Sequence, residues 1–361
     1  MTSVAIRLGM VTVLSGMLLG CAQTGPPLPP SLELPKPPSD LRATRKGNTV
    51  TLVWSEPVRT TDRQSVRYLG PTRICRSLTS EMTECGIPVG ELPAPQSIQP
   101  PAATPPPQQV FTDTLPATIL EQNPTGDVVY AVEVLNRDQR GAGLSNRATV
   151  AALPTLGPPA DFHAELTGSG VAFTWTPPPT LPVVPGVTYR YRIYRRDEAS
   201  GKETVASEIP GEIVGPPHAE DAGFEWEKTY LYHIAAVSVA ARPGGDVQVE
   251  GDDSPTTRII AHDVFPPAVP SGLQAVYSGE GQKAFVDLIW APVTDADLAG
   301  YNMYRREGSE ASVKLNTELV KTPSYRDSAV GSGKSYFYSV SAADVRGNES
   351  AHSEEASESV P

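Results

Sequence analysis

The sequence predicts an all-β protein built from three copies of one domain. Proline makes up 38 of its 361 residues, about twice the usual share of roughly 5%. Interior prolines break helices but are tolerated at strand edges, in turns and in linkers, so a mostly helical protein is disfavoured. A hydrophobic fraction of 39% is enough for packed cores and argues against general disorder.

Three segments carry the same strand pattern. Each alternates at period two and ends in tryptophan: Val50-x-Leu52-x-Trp54, Val171-x-Phe173-x-Trp175 and Val286-x-Leu288-x-Trp290. Period two places these side chains on one face, so each segment predicts a half-buried strand that ends in a buried indole. The tryptophans recur roughly every 120 residues, which is the size of a domain and too long for a solenoid repeat.

Two further motifs follow each tryptophan in the same order. The first is Arg73-Ile74-Cys75-Arg76, with counterparts at 191–196 and 301–306, and the second is an alternating strand that starts at Tyr130, Tyr230 or Tyr336. Together these motifs resemble the fibronectin type III family, and the resemblance covers residues 37–361. It implies seven-stranded antiparallel β-sandwiches of the immunoglobulin-like fold.

The resemblance also implies roles for six core residues. Trp54, Trp175 and Trp290 would pack beneath the opposite sheet of their sandwiches. The tyrosine corner, whose hydroxyl bonds to nearby backbone, would be formed by Tyr130, Tyr230 and Tyr336. The implied domains are 37–153, 154–263 and 264–361, joined by short proline-containing linkers that restrict hinge motion and predict an elongated rod.

The first domain contains an additional proline-rich stretch over 86–109. Because proline cannot pair within a central strand, this insertion is expected to loop over the surface. Two interpretations stay open: a binding excursion, or an insertion that is tolerated because lengthening a loop costs little entropy.

Residues 1–20 predict a secretion signal. Arg7 precedes an apolar run from Leu8 to Leu19, which is too short to span a membrane as a mature helix. The tetrad Leu18-Leu19-Gly20-Cys21 resembles the bacterial lipobox, which implies cleavage before Cys21 and acylation of its thiol, with palmitate as a label for the modification. An ordinary signal peptide with a chance cysteine is the alternative.

An acylated Cys21 would attach the chain to a membrane without crossing it. Residues 21–36 are rich in proline and predict an extended, semi-rigid spacer. Ala22 and Gln23 follow the cysteine in place of the aspartate that retains enterobacterial lipoproteins in the inner membrane. By that family rule the destination is the outer membrane, with its periplasmic and surface faces both open.

The other two cysteines, Cys75 and Cys85, are ten residues apart in a compartment that permits oxidation. The segment between them is expected to form the turn of a hairpin that brings the two sulfurs together. A disulfide is the favoured interpretation, against two free thiols or a metal site. No histidine lies at metal-ligand spacing from the pair.

Catalytic and cofactor motifs are not found in the sequence. The histidines are scattered, and there is neither a His-Glu-x-x-His pattern nor a Gly-x-Ser-x-Gly elbow. Asp295 with Asp297, or Asp252 with Asp253, offers oxygen ligands of the type that calcium prefers, although aspartates at such positions mostly cap turns. We therefore expect no enzyme activity, no cofactor and no metal.

The acidic side chains are concentrated away from the predicted anchor. Residues 36–153 carry 12 basic and 11 acidic side chains, residues 154–263 carry 8 and 16, and residues 264–361 carry 8 and 13. Acidic surface repels nucleic acid and anionic headgroups. Nucleic-acid binding is therefore not expected, and the second and third domains should point away from the bilayer.

The expected function is contact with a protein or glycan of the cell envelope by a lipid-anchored, non-catalytic protein. Loops and sheet edges are the available contact sites of such sandwiches. Two alternatives are a purely structural spacer or scaffold subunit and an accessory carbohydrate-binding protein. Trp226 is the only tryptophan outside the repeated position, so its exposure discriminates the last of these.

Overall fold

The computed structural model describes residues 32–95, 105–179, 181, 183–212, 216–278 and 283–361. The predicted signal peptide, Cys21 and the spacer before residue 32 lie outside the described residues, as does the middle of the proline-rich insertion. Within the described ranges, no helix combines the length and the apolar character needed to cross a membrane.

The first sandwich has two antiparallel sheets and one short helix. Its elements are β1 (Arg42–Lys46), β2 (Thr49–Ser55), β3 (Thr72–Ser77), β4 (Gly90–Leu92), β5 (Gln108–Thr114), α1 (Ala117–Gln122), β6 (Asp127–Val134) and β7 (Ala148–Ala151). One sheet has the order β1-β2-β5 and the other β4-β3-β6-β7. The apolar faces of the two sheets enclose a core that includes Leu52 and Val132.

The second sandwich repeats this order with a divided last strand. Its strands are β8 (Ala160–Leu166), β9 (Val171–Thr176), β10 (Val187–Asp197), β11 (Glu203–Pro210), β12 (His218–Asp221), β13 (Thr229–Ala240), β14 (Val247–Asp253) and β15 (Thr257–Ile260). The sheets are β8-β9-β12 and β11-β10-β13, and both β14 and β15 pair with β13.

The third sandwich has the same arrangement. Its strands are β16 (Ser271–Ser278), β17 (Phe285–Ala291), β18 (Leu298–Glu307), β19 (Val313–Lys314), β20 (Ser324–Asp327), β21 (Lys334–Asp344) and β22 (Ala356–Val360). The sheets are β16-β17-β20 and β19-β18-β21-β22. The strand order recurs in all three units, so the chain consists of immunoglobulin-like, fibronectin type III-like β-sandwiches, and the predicted fold class is confirmed.

The predicted tryptophans lie in the three separate cores. Trp54, Trp175 and Trp290 are each at most 6% exposed. Trp175 packs against Tyr191, and Trp290 packs edge-on against Tyr301 at 5.1 Å between ring centroids. Alternation along the strand therefore places each indole inside, as period two predicts.

A serine precedes the final strand of every sandwich and bonds to the backbone in the same way. The hydroxyl of Ser145, Ser254 or Ser353 accepts a hydrogen bond from a backbone N–H of the neighbouring strand at 3.0–3.1 Å and donates to the next carbonyl along the chain. The side chain thus satisfies backbone groups where the strand ladder is broken. The final strand of each sandwich, β7, β15 or β22, therefore begins after its serine.

Two expectations about proline-rich segments need correction. The insertion is not wholly a loop, because Gly90–Leu92 forms edge strand β4 and the last residues of the stretch begin β5. Likewise, the end of the predicted spacer is docked on the first sandwich. The Lys36 N–H donates to the Arg59 carbonyl. Pro35 forms an isolated antiparallel β-bridge with Thr60. Proline is compatible with both edges because it needs no ladder donor there.

Candidate functional site

The first sandwich contains a buried ionic group. Arg76 on β3 and Tyr130 on β6 lie directly opposite each other, and both donate to Oδ2 of Asp113 on β5 at 2.6 Å. Burial and the Asp113 carboxylate raise the pKa of the Tyr130 hydroxyl. Charge-assisted hydrogen bonds of this kind offset the cost of removing the carboxylate from water.

The same group occurs in the other two sandwiches. Its members are Arg195, Asp221 and Tyr232 in the second and Arg305, Asp327 and Tyr338 in the third. Each aspartate is paired across the sheet with the first valine of a tryptophan motif. The group therefore joins the two sheets of each sandwich, and its carboxylate accepts hydrogen bonds from both the arginine and the tyrosine.

The assignment of Tyr130 to a tyrosine corner is wrong. The hydroxyls of Tyr230 and Tyr336 accept a backbone N–H from five residues earlier, at 3.0 and 2.9 Å, as a corner requires. Tyr130 is equivalent instead to Tyr232 and Tyr338, since its hydroxyl donates to an aspartate side chain. All three residues assigned to the corner are nevertheless buried core residues.

The predicted disulfide between Cys75 and Cys85 is present. Cys75 is a buried residue of β3, whereas Cys85 lies in the connection between β3 and β4, so the bridge closes the loop of a hairpin. Arg147 secures the same loop by donating to the Met82 carbonyl. Ile87, just beyond the bridge, is 93% exposed, so the loop is fixed at its base and apolar near its end.

The joint between the first two sandwiches is built from strands. β14 of the second sandwich lies parallel to β1 of the first, with Lys46 opposite Glu250, which joins one sheet of each sandwich into a single hydrogen-bonded sheet. The Gly47 N–H donates to the Glu250 carbonyl at 2.7 Å. Gly47 has φ +55°, a left-handed backbone conformation that favours glycine at this contact.

Ion pairs and apolar contacts reinforce this joint. The Lys46 ammonium lies 2.6 Å from Asp253, and Arg242 of the second sandwich lies 2.7 Å from Asp127 of the first. An apolar cluster beneath them joins residues of both sandwiches: Ala151, Leu153, Ala240 and Val249. Asp252 and Asp253, considered above as calcium ligands, therefore belong to this contact.

Arg45 is a partly buried cation at the same joint. Its guanidinium donates to the Gly47 and Ala151 carbonyls, and burial lowers its pKa to about 10. Nη2 has no hydrogen-bond partner among the described residues.

The joint between the second and third sandwiches is polar and aromatic. Arg346, in the turn after β21, pairs with Asp263 and Glu227 of the second sandwich at 3.1 and 3.3 Å. Its guanidinium carbon lies 5.9 Å from the Trp226 ring, a cation–π distance. The Asn348 amide donates to the Asp263 carbonyl, so two side chains of one turn hold the end of the preceding sandwich.

Trp226 belongs to this joint. Its ring packs edge-on against Phe224 at 4.7 Å and tilted against Phe265 of the linker at 6.1 Å. The side chain is only partly accessible, and its ring is in contact with two aromatic neighbours and Arg346.

Three carboxylates converge near Arg346. Oxygen atoms of Asp263, Asp297 and Asp344 lie within 4.8 Å of one another. Donors already engage the two buried members: Asp263 pairs with Arg346, and Asp344 accepts the side-chain amide of Asn348 at 2.7 Å. Hydrogen bonding from this turn lowers the pKa of Asp344, although burial opposes the shift. Within the cluster, Asp263 is therefore the acceptor for Arg346, and Asp344 accepts hydrogen bonds from its own turn.

Asp295 contacts the linker in the same region. Its carboxylate accepts the Ala268 N–H of the linker at 2.6 Å. Asp295, which was grouped with Asp297 as a calcium ligand pair, thus connects the linker to the turn between β17 and β18.

Comparisons with known proteins give only structural similarity. No protein-family model matches the chain, and no curated protein matches it. The chicken CNTN1 FN1-FN3 domains are 15% identical over 91% of this chain and 99% of that chain, with a TM-score of 0.26. A Fn3-like protein from Clostridium thermocellum is 29% identical over 26% of this chain and 94% of that chain, with a TM-score of 0.23. The fold assignment depends on the strand order described above.

Proposed function

We propose that this chain is a non-catalytic lipoprotein of the cell envelope, anchored in the outer membrane through acylated Cys21. Its three sandwiches would act as a scaffold that presents loops and sheet edges to an envelope protein or glycan. The anchor is supported by the tetrad Leu18-Leu19-Gly20-Cys21, and the scaffold role by the fibronectin type III-like fold.

The observation that carries the scaffold role is the direct contact at both joints. A shared sheet joins the first two sandwiches, and Arg346 with Asn348 holds the third against the second. Joints built from such contacts restrict the relative motion of successive domains, whereas domains joined by linkers alone are expected to move relative to one another. The same observation favours the second candidate, a structural spacer that has no specific client.

Apolar loop residues are the best candidate contacts. Ile87, Val183 and Val345 lie on connections of the first, second and third sandwich and are 93%, 98% and 67% exposed. Loops held by a rigid framework carry most binding residues of such folds. Binding of a glycan by aromatic stacking is the weakest candidate, because Trp226 is only partly accessible and contacts Phe265 and Arg346 within a joint.

Metabolic labelling with palmitate tests the anchor. Wild-type protein should incorporate the label and fractionate with the outer membrane, whereas Cys21→Ser should not. Equal labelling of the two proteins would refute the lipoprotein proposal. Cys75→Ala with Cys85→Ala is the matched control, because it removes the other two cysteines and should label like the wild type.

Photo-crosslinking in the native cell separates the scaffold from the spacer. A crosslinking residue placed at Ile87, Val183 or Val345 should capture a defined partner if the loops bind one. Ser200, exposed in a turn of the second sandwich, provides the polar control position. Absence of a defined adduct at all three apolar positions would favour the spacer.

A further inference from the structure

One end of the first sandwich is formed by three segments that hydrogen bonds hold together. The Asn136 side chain donates to the Leu32 carbonyl at 2.9 Å, and the Gly70 N–H donates to the Leu135 carbonyl at 2.8 Å. We call this surface the basic loop end; it comprises residues 32–36, 57–70 and 135–141.

Exposed cations are concentrated at the basic loop end. Its exposed arginines are Arg59, Arg63, Arg67, Arg137 and Arg140. None of them forms an ion pair with a carboxylate in the part of the chain that the structure describes. Lys36 adds a sixth positive charge, against the acidic residues Glu33, Asp62 and Asp138.

The charge of the first domain is therefore polarised. Residues 36–153 carry 12 basic and 11 acidic side chains. Six of these basic side chains and two of these acidic ones belong to the basic loop end. The remainder of this segment has six basic and nine acidic residues. With the acidic second and third domains, nearly the whole molecule outside this end repels an anionic surface.

Exposed apolar groups accompany the arginines. Tyr68 and Leu32 both lie exposed at this end and line one shallow depression. The charged residues of its lining are Arg137, Arg140, Glu33 and Asp138. The Arg137 guanidinium carbon lies 5.8 Å from the Tyr68 ring. Tyrosine with arginine is the combination enriched at membrane–water interfaces, where an amphipathic ring lies at headgroup level.

The chain leads to this end from the predicted anchor. Leu32, the first described residue, is eleven positions after Cys21, and eleven residues span at most roughly 40 Å. Because Leu32 belongs to the basic loop end, an anchor at Cys21 would hold this end within that distance of the bilayer.

We propose that the basic loop end binds anionic phospholipid headgroups of the membrane that carries the anchor. This inference rests on the proposed lipoprotein function. The arginines would contact headgroup phosphates, Tyr68 would enter the interfacial layer, and repulsion of the acidic domains would turn them away from the bilayer. Each basic residue near an anionic surface strengthens binding by roughly fivefold.

Vesicle sedimentation tests this binding without the anchor. The probe protein is residues 21–361 with Cys21→Ser, and the vesicles are phosphatidylcholine alone or phosphatidylcholine with phosphatidylglycerol. We expect at least about tenfold stronger binding to the anionic vesicles, with a loss as salt is raised. Equal binding to both vesicles would overturn the proposal.

Two charge-matched triple variants locate the surface. Arg63→Gln, Arg67→Gln and Arg140→Gln together should reduce binding to the anionic vesicles by at least about tenfold. Arg196→Gln, Lys202→Gln and Lys314→Gln remove as many exposed charges from the other two sandwiches and should leave binding nearly unchanged. Equal losses in the two variants would overturn the proposal.

The failure of this proposal can be distinguished from the failure of the proposed function. If palmitate labelling failed, the lipid anchor would be refuted, but the vesicle-binding result would still stand.

Discussion

Arg346 of the third sandwich forms an ion pair with Asp263 of the second, with 3.1 Å between Nη1 and Oδ2. The Asp263 side chain is almost completely buried, whereas Arg346 keeps partial contact with water. The pair therefore belongs to the class in which removing one partner leaves a buried charge without compensation.

Arg346→Ala should loosen the joint between the second and third sandwiches. The cost should fall at the lower end of the roughly 3–5 kcal/mol typical of broken buried pairs, because Arg346 is partly solvated. Faster hydrogen exchange of the Phe265 amide, which donates to Asp263, would report the change. Arg258→Ala, which breaks the exposed pair with Glu198, is the control. Equal exchange in both variants would contradict the role of Arg346.

Asp327→Ala should destabilise the third sandwich far more than Asp287→Ala. The first change leaves Arg305 and Tyr338 without their acceptor inside the sandwich and should cost roughly 3–5 kcal/mol. The second breaks an exposed bidentate pair with Arg326 and should cost at most about 1 kcal/mol.

Hydrogen exchange resolved to peptides of β17 and β20 measures both costs in the intact chain. Because Asp327 and Asp287 lie on the paired strands β20 and β17 of one sheet, differences between the variants reflect burial. Similar costs would contradict a stabilising role for the buried group.

Alkaline pH should unfold the sandwiches through their buried tyrosines. Burial, with the neighbouring aspartate, raises the pKa of Tyr130, Tyr232 and Tyr338. A tyrosine in the unfolded chain titrates near pH 10, so above that pH the folded state binds more protons. Stability is therefore fully present below about pH 10 and falls by roughly 1.4 kcal/mol per pH unit and group above it.

Denaturant unfolding at pH 8, 10 and 11, followed by phenolate absorbance, checks this expectation. Tyr338→Phe should lower stability at pH 8, because Asp327 loses a donor, but should reduce the additional loss at higher pH. An unchanged pH dependence in this variant would exclude the tyrosine as its source.

The cores could be predicted from the sequence because their signals are local. Alternation that ends in Trp54, Trp175 or Trp290 needs only a few neighbouring residues, and the ten-residue separation of Cys75 and Cys85 suits a hairpin. The misassignment of Tyr130 had an available signal. The second and third copies read Tyr-x-Tyr, and Tyr130 aligns with the second tyrosine of that pair, with Val128 in the place of the first.

The joints could not be predicted in the same way. Lys46 meets Asp253, and Asp127 meets Arg242, across sequence separations that no periodic pattern records. Pairing between β1 and β14 depends on how two completed sandwiches dock, which single-strand propensity does not specify. The basic loop end likewise emerges only when three distant segments are brought together.

Trp290→Ala should cost roughly 3–5 kcal/mol in the third sandwich, as do other large truncations in protein cores. The indole is 6% exposed and packs against Tyr301, so the change would leave a cavity between the sheets. Exchange of β18 amides in the intact chain measures it. A cost below about 1 kcal/mol would contradict the core assignment.

Loss of the disulfide should weaken the first sandwich without releasing its loop. Free-thiol titration of unreduced mature protein should find neither Cys75 nor Cys85 reactive, and two titratable thiols would refute the bridge.

Cys75→Ala with Cys85→Ala should cost roughly 2–3 kcal/mol, because the unfolded chain regains the freedom of a short loop. Since Arg147 still holds the Met82 carbonyl, a crosslinker at Ile87 should keep its partner until Arg147→Ala is added. If the crosslinked adduct were already lost in the double cysteine variant, with Arg147 still present, the disulfide by itself would position the loop.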